Sequence, residues 1–175
     1  MIRVAILTAS DKAARGERED ESGKVISEML TAIGEVVLYR IVPDDIDEIL
    51  EELRRMADRH KVDLILTTGG TGLGPRDFTP EATKAVIDRE VPGIMEAMRA
   101  RSLEKTPLAM LSRGVAGTRG RTLIINLPGS PKAVRECIEV ILPALPHAIE
   151  VLQGRAQECA RQYIGQGDEG ATLSR

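Results

Sequence analysis

Four short runs of apolar residues alternate along the chain with longer segments that follow a different period. The runs cover residues 4–8, 36–42, 64–68 and 122–127. Their apolar residues are continuous rather than alternating, which is typical of strands covered on both faces in a mostly parallel sheet. We therefore predict four buried β-strands.

The segments after the first two strands carry the spacing of amphipathic helices. In residues 22–33 and 45–59, apolar side chains recur three and four positions apart and so share one helical face. Gly34 stands where a glycine commonly follows the last turn of a helix. The pattern predicts two helices, the first of which ends just before Gly34.

Proline marks the start of two further helices. Thr79 is followed by a proline, which predicts an N-cap and a helix to about residue 88. Ser130 is followed by a proline in the same way. Two later prolines should divide the helical region behind it into pieces at 131–142 and 144–153.

Strands that alternate with helices predict an α/β fold, a three-layer αβα sandwich around a mostly parallel sheet. Residues 1–155 are expected to form one domain, with 156–175 as a C-terminal extension. The end of that extension, 165–175, is polar and glycine-rich, and we expect it to be mobile. Residues 108–121 have no clear period and are expected to form a short hairpin or a loop.

Composition narrows the class of protein further. Aromatic residues make up 2% of the 175 residues and hydrophobic residues 42%, so the core must be aliphatic. A net charge of −3 gives no global attraction to nucleic acid or to membranes. Cys137 and Cys159 are too few for a disulfide framework, which favours a reducing compartment. No apolar run is long enough to span a membrane, and we expect a cytoplasmic protein.

Four loops of unusual composition follow the four predicted strands. They lie at 9–20, 43–45, 69–79 and 128–130. Ligands of open α/β sheets bind outside the carboxyl ends of the strands. The sequence therefore predicts one site that is built from all four loops.

The 69–79 loop is the most distinctive of the four. It contains Gly69, Gly70, Gly72 and Gly74, and bare backbone of this kind brings amide groups close to an anion. It is neither a P-loop nor a dinucleotide fingerprint, because the required Gly-Lys-Ser/Thr and GxGxxG patterns are missing. A tight turn that needs positive φ is the alternative. The concentration of glycines favours phosphate binding.

Acidic residues accompany this loop. Asp77 near a phosphate cradle suggests a divalent cation or a proton transfer, and a turn or cap role is the alternative. Arg76 could pair with phosphate or with Asp77. Asp44 and Asp45 stand at a strand-to-helix junction, where one of them should be the N-cap. We expect Asp44, which is nearer the strand, to face the ligand.

The first and last loops supply further candidates. The helix that follows Gly129 and Ser130 would present free amides and a positive dipole end to an anion, and Lys132 adds a positive charge. The hydrogen-bonding candidates of the first loop are Thr8, Ser10 and Asp11.

The order of these motifs resembles a known family. "TTGGTG" followed by "RDFTPEAT", with "VPDD" upstream and "NLPGSPK" downstream, is similar to the molybdopterin adenylyltransferases of molybdenum-cofactor biosynthesis. That family includes the MogA/MoaB-type proteins and the G domain of gephyrin. The similarity runs in order from about residue 2 to residue 153, which is nearly the whole domain.

The resemblance implies a function and partners. Such enzymes transfer AMP from Mg-ATP to the terminal phosphate of molybdopterin and release pyrophosphate, and a separate enzyme then inserts molybdenum. A homotrimer is implied, with no role for nucleic acid or membrane. Which loop binds the pterin and which the adenylate stays open.

The resemblance also assigns residues by position. Asp44 and Asp77 match the two functional aspartates, which would be catalytic and would position Mg²⁺. The residues that match the glycine loop are Gly69, Gly70, Thr71 and Gly72. The residues that match a Ser-x-Ser-Asp loop are Thr8, Ala9, Ser10 and Asp11, with Thr8 in place of the first serine. Ser130 matches the small polar residue of the "LPG" turn.

Two alternatives remain beside the adenylyltransferase. One is a non-catalytic protein that carries or scaffolds the pterin, although the presence of both Asp44 and Asp77 favours an enzyme. The other is a CinA-type nucleotide pyrophosphatase. In that type the corresponding loop has two acidic residues, whereas "GTGLGPRDFT" has one.

Overall fold

The computed structural model describes residues 1–155 and shows one six-stranded sheet with helices on both faces. The strands are β1 Ile2–Ala9, β2 Gly34–Val42, β3 Leu64–Thr68, β4 Arg89–Glu90, β5 Ala116–Arg119 and β6 Thr122–Leu127. Their order across the sheet is β2-β1-β3-β6-β5-β4. The first four strands in that order are parallel, while β5 and β4 add an antiparallel edge. The predicted fold class and the positions of the four predicted strands are confirmed, but the burial predicted for the second strand is wrong: β2 is an edge strand, and none of its residues is buried.

Seven α-helices lie between and after these strands within residues 1–155. They are α1 Asp11–Ala14, α2 Glu21–Leu30, α3 Ile46–Arg54, α4 Thr79–Val86, α5 Pro92–Leu103, α6 Pro131–Ile141 and α7 Leu145–Leu152. A π-helical turn at Arg55–Arg59 extends α3, and a 3-10 turn at Pro107–Leu111 follows α5. The division of the last helical region by its prolines is confirmed to within one residue at each boundary. The pattern analysis did not predict α5, whose fully buried side chains are only Met95 and Met98.

Two local predictions were wrong. Gly34 does not end a helix: α2 stops at Leu30, and Gly34 is the first residue of β2. A Cβ atom at Gly34 would lie 2.5 Å from the carbonyl oxygen of Ile2, so the close approach of β1 explains the glycine. Thr79 is not the N-cap, because Phe78 occupies that position and Thr79 is already helical. That helix also ends at Val86 rather than near residue 88.

The segment 108–121, expected to form a hairpin or a loop, begins in the 3-10 turn and supplies the first strand and the turn of a hairpin. β5 pairs antiparallel with β6, and Arg119 lies opposite Thr122 across a tight turn. Gly120 in that turn has a φ of +53°, which glycine adopts without strain. The predictions for 156–175 and for its end at 165–175 lie outside the described residues.

The core consists of two aliphatic clusters, one on each face of the sheet. Neighbouring residues of β1 point to opposite faces: Val4 and Ile6 pack against α2, α6 and α7, while Ala5 and Leu7 pack against α3 and α4. Each fully buried Ile or Leu contributes roughly 1.5–3 kcal/mol relative to exposure. Burial on both faces explains the continuous apolar runs of β1, β3 and β6. None of the helices within residues 1–155 has the length and apolar character needed to cross a bilayer.

Candidate functional site

The four predicted loops meet at one edge of the sheet. Thr8 of β1 lies beside Thr68 of β3, which in turn lies beside Leu127 of β6. Ala9 lies beside Val42 of β2. Because these strands are parallel and in register, the loops that follow them leave the sheet side by side.

Glycine is required at the start of the 69–79 loop. Gly69 and Gly70 have φ angles of +89° and +64°, a region that side chains rarely adopt. A Cβ atom on Gly69 would lie 2.3 Å from the carbonyl oxygen of Ala9, and one on Gly70 would lie 2.5 Å from Oγ1 of Thr79. The alternative of a tight turn is thus part of the explanation, and both residues also permit close backbone contact.

Thr79 holds the first half of this loop. Its hydroxyl donates to the carbonyl oxygen of Gly69 at 2.9 Å, and its amide donates to that of Gly70 at 3.2 Å. Thr79 is fully buried. Its side chain therefore anchors the glycine loop to the start of α4 instead of capping the helix.

Arg113 holds the second half of the loop. Its backbone amide donates to the carbonyl oxygen of Thr71 at 2.9 Å, and Nε donates to that of Gly72 at 2.6 Å. Nη2 donates to the carbonyl oxygen of Asp77 at 2.7 Å, and Nη1 pairs with the carboxylate of Glu81. Arg113 was missed in the sequence, because it lies in the segment with no readable period.

These contacts decide which way the loop amides point. The described residues contain no cis peptide bond, and in a trans peptide the carbonyl of one residue and the amide of the next point in opposite directions. Four successive carbonyls face Thr79 and Arg113. The amides of the following residues, Gly70, Thr71, Gly72 and Leu73, therefore face away from them. Phosphate binding by these successive amides stays a prediction.

Asp44 forms a reciprocal pair with Asp11. The carboxylate of Asp44 accepts from the amide of Asp11 at 2.9 Å, and that of Asp11 accepts from the amide of Asp44 at 3.0 Å. Arg76 donates to both carboxylate oxygens of Asp11, at 2.9 and 3.1 Å. Asp45 is the N-cap of α3 and accepts from its first amides. Asp45 is therefore the capping residue of the two neighbouring aspartates, while a ligand role for Asp44 stays a prediction.

The pKa values of Asp44 and Asp11 are shifted in opposite directions. Burial raises the pKa of Asp44, and the charges of Asp11 and Asp77 raise it further. The hydrogen bonds from Arg76 lower the pKa of Asp11 instead. Asp44 is thus a half-buried carboxyl beside two other acids, an arrangement that becomes more favourable when a cation binds.

Asp77 lies against the glycine loop. Its Oδ2 accepts from the amide of Gly74 at 2.8 Å, and Cβ atoms on Gly72 and Gly74 would come within 2.9 and 2.8 Å of that oxygen. Arg76 does not pair with Asp77, as one alternative held, but with Asp11. Bare backbone at Gly72 and Gly74 therefore makes room for the carboxylate.

Two aspartates suit Mg²⁺ better than a cation that takes all of its ligands from the protein. Within residues 1–155 no group of three or more His, Cys, Asp or Glu side chains is placed to hold a metal ion. Mg²⁺ commonly binds one or two carboxylates, with substrate phosphates and water as the other ligands. Asp44 and Asp77, which are close enough for the charge of Asp77 to raise the pKa of Asp44, fit that donor set.

The last loop adds a helix N-terminus. Ser130 is the N-cap of α6, and its hydroxyl accepts from the amide of Ala133 at 3.2 Å. Ser10 caps the short α1 in the same way, accepting from Ala13 at 3.2 Å. Lys132 is exposed in the first turn of α6.

A polar cavity lies between these loops, at the ends of β1, β3 and β6. It has a volume of about 170 Å³. Its lining includes Thr8, Ser10, Asp20, Ser22, Thr68, Gly69 and Gly129. Four predicted residues, Thr8, Ser10, Gly69 and Gly129, are thus brought together in the cavity. The other predicted residues are not part of its lining: Asp11, Asp44, Gly70, Thr71, Gly72, Arg76, Asp77, Ser130 and Lys132. Asp20 and Ser22 were missed because their proximity to the cavity depends on how α2 packs.

A three-layer α/β fold with a glycine-rich loop and two aspartates after its parallel strands is typical of proteins that bind nucleotides or other phosphate ligands. Comparison with known proteins defines the family. The model of the probable molybdopterin binding domain matches residues 5–147, and the chain belongs to this family.

Two relatives illustrate the similarity. A molybdopterin adenylyltransferase of Helicobacter pylori strain J99 is 47% identical over 169 residues, which cover 93% of this chain and 94% of that protein. The crystal structure of the molybdopterin biosynthesis enzyme MoaB from Thermus thermophilus superposes with a TM-score of 0.84, and its sequence is 59% identical. The match covers 88% of this chain and 98% of the MoaB chain.

The CinA alternative shares the fold alone. A CinA protein of Thermoplasma acidophilum superposes with a TM-score of 0.64 at 20% identity over 82% of this chain. Identity this low carries no functional inference.

Proposed function

We propose that this protein is a molybdopterin adenylyltransferase, which transfers AMP from Mg-ATP to the terminal phosphate of molybdopterin. The observation that carries the proposal is the row of loop amides turned away from Thr79 and Arg113, next to Asp44 and Asp77. Relatives that match more than nine-tenths of this chain bear the same name. The chemistry is that of a nucleotidyltransferase of molybdenum cofactor biosynthesis.

The reaction needs positioning rather than a protein nucleophile. An oxygen of the pterin phosphate attacks the α-phosphorus of ATP, a new P–O bond forms, and the bond from the α-phosphorus to the bridging oxygen breaks. Pyrophosphate leaves. Because the attacking phosphate is already nucleophilic, catalysis consists of alignment and charge stabilisation.

The residues of the site suit these two tasks. The amides of the 70–73 segment and the N-terminus of α6 would bind phosphate oxygens, with Ser10, Ser130 and Lys132 beside them. Asp44 and Asp77 would hold Mg²⁺, which neutralises phosphate charge when bound. Arg76 keeps Asp11 and, through it, Asp44 in position.

The wider setting is part of the proposal. We infer that the active unit is the domain of residues 1–155, that it assembles as a homotrimer in the cytoplasm, and that its product passes to a molybdenum-insertion enzyme. ATP and molybdopterin are the substrates and Mg²⁺ is the cofactor.

Pyrophosphate release from Mg-ATP, with and without molybdopterin, tests the function. We expect pterin-dependent release by the wild type and a large loss in Asp44→Asn and Asp77→Asn. Asp45→Asn is the matched control, because asparagine caps a helix as well as aspartate does and the charge change is the same. A wild-type protein that binds molybdopterin but releases no pyrophosphate would refute the enzyme and favour the non-catalytic carrier.

A further inference from the structure

A second cavity lies at the end of the sheet opposite the candidate site. Asp63 directly precedes β3, Thr122 is the first residue of β6, and both line an open cavity of about 660 Å³. The glycine loop begins at the other end of β3. Because a strand rises about 3.3 Å per residue, Asp63 lies roughly 20 Å from Gly69. One small ligand cannot contact both places, so this cavity is separate from the candidate site.

The lining of this second cavity carries more basic than acidic residues. The basic residues are Lys61, Arg119, Arg121 and Arg155, and the acidic residues are Asp58 and Asp63. Four basic and two acidic residues give a net charge of +2, whereas the whole chain has a net charge of −3. The cavity therefore concentrates positive charge on a protein that is acidic overall.

Both acidic residues of the lining already have hydrogen-bond donors. The two carboxylate oxygens of Asp58 accept from Arg119 at 2.8 and 2.7 Å. One carboxylate oxygen of Asp63 accepts from the backbone amide of Arg3 at 2.8 Å, and the other accepts from the side-chain amide of Gln153. These contacts leave the two carboxylates engaged with their own partners and not with the other cations of the lining.

Three cations of the lining remain available to a ligand. Lys61, Arg121 and Arg155 are exposed, and none of them forms an ion pair with another residue in the part of the chain that the structure describes. A guanidinium group donates through a planar fork that matches phosphate oxygens, and lysine adds a compact positive charge. A multiply charged anion could therefore contact several donors in one cavity.

The backbone at Lys61 supports a role for its side chain. Lys61 follows the C-cap His60 of the π-helical turn, and its φ of +51° is the only positive φ of a non-glycine residue within residues 1–155. Arg3 holds this turn by donating to the carbonyl oxygen of His60 at 3.1 Å. Glycine is the usual residue after a C-cap, since it adopts a positive φ without strain. The backbone alone would favour glycine here, so the lysine is better explained by what its charge binds.

We propose that this cavity, at the amino ends of β3 and β6, is a second binding site, for a small and multiply charged phosphate anion. Lys61, Arg121 and Arg155 bind its oxygens, while Arg119 neutralises Asp58. The net charge of +2 suits an anion with two or more negative charges. None of these residues belongs to the candidate site, so the inference does not depend on the proposed function.

Hydrogen–deuterium exchange and calorimetry on the full chain test this second site. The probes are pyrophosphate, inorganic phosphate and, as a dicarboxylate control, malonate, all without Mg²⁺. Pyrophosphate should slow amide exchange in the segments 58–63 and 119–123. Its affinity should exceed that of malonate by at least about 3-fold and should fall as salt screens the charges.

Two substitutions connect the affinity to this cavity. Lys61→Gly suits the positive φ, so the variant should be at least as stable as wild type in urea unfolding, yet it should bind pyrophosphate about 3- to 10-fold more weakly. Arg121→Gln, in the exposed hairpin turn, should weaken binding by a similar factor. Lys84→Gln is the matched control, because it removes one positive charge from an exposed position outside the cavity. Its affinity for pyrophosphate should be that of the wild type.

Three results would overturn the inference. Exchange that slows only in the segment 69–74, or nowhere, shows that pyrophosphate does not bind at the amino ends of the strands. A Lys84→Gln variant that weakens binding as much as Lys61→Gly shows that overall charge, and not this cavity, sets the affinity. Malonate that binds as tightly as pyrophosphate shows that the cavity does not select phosphate. All three leave the adenylyltransferase intact, since the pyrophosphate-release assay tests it separately.

Discussion

Replacing Arg113 by alanine should cost both stability and activity, because its side chain fastens the glycine loop. The substitution removes the donors to the carbonyl oxygens of Gly72 and Asp77, at 2.6 and 2.7 Å, and the ion pair with Glu81. A hydrogen bond from a charged group contributes about 1.5–3 kcal/mol where it is shielded from water. The side chain is 34% exposed, so water can replace part of both bonds.

The expected loss in unfolding free energy is therefore about 2–3 kcal/mol, below the sum for two fully shielded bonds. The exposed ion pair adds at most about 1 kcal/mol. The effect on catalysis should be larger, since a displacement of about 1 Å in a positioning group can lower the rate about 100-fold. We expect kcat/KM for pterin-dependent pyrophosphate release to fall by about 10- to 100-fold.

Urea unfolding and the pyrophosphate assay measure the two effects separately. Glu81→Gln is the matched control: it removes the ion pair but leaves both bonds to the loop, so kcat/KM should stay within about twofold. Arg113→Lys keeps the charge but loses the planar fork, and should resemble alanine in activity more than the wild type. An alanine variant with wild-type kcat/KM would refute the reasoning that the loop amides depend on Arg113.

Three further predictions concern the acidic pair and the loop. The raised pKa of Asp44 means that its protonated form stabilises the fold below the ordinary aspartate pKa, a benefit that is lost as pH rises through the folded value. In urea unfolding, the stability of Asp44→Asn relative to wild type should therefore be higher at pH 7 than at about pH 3.5, and the variant should lose activity. An equal stability difference between the two proteins at both pH values contradicts this. Gly69 has a φ of +89°, and a Cβ atom there would lie 2.3 Å from the oxygen of Ala9. Gly69→Ala should therefore lose about 1–3 kcal/mol of unfolding free energy in the same measurement. Gly16→Ala should lose less, because Gly16 has a positive φ but no close neighbour. Arg76→Met should weaken Mg-ATP binding and shift the acid limb of kcat/KM upward, because Arg76 lowers the pKa of both Asp11 and Asp44; an unchanged pH profile would count against it.

Much of the fold could be predicted from local patterns. Three strands, β1, β3 and β6, were recognisable because burial on both faces leaves little room for polar residues, as Val4 and Ala5 show on opposite faces of β1. The edge strand β2 carries an apolar run although it is not buried. The wrong prediction for Gly34 shows the limit of such patterns. A glycine after a helical segment ends the helix in many proteins, but here its cause is the carbonyl of Ile2, more than thirty positions away in the chain.

Some residues of the candidate site could likewise be predicted from local patterns, and others could not. The glycine loop, Asp44 and Ser130 could be found because each sits at a junction between strand and helix, and the type of residue there is informative by itself. Arg113 and Asp20 could not. Each acts through hydrogen bonds to partners brought close by the packing of helices on the sheet, and no local spacing records that proximity.

The sequence alone determined which chemical groups are available at the ends of the strands, because parallel strands must end at the same edge. Only the tertiary structure decided how these groups are oriented. Thr79 and Arg113 hold the loop carbonyls, and so turn the loop amides away from them, while the hydroxyl of Thr8 donates to Asp20. Orientation depends on partners distant in the chain, and that is information a local pattern does not contain.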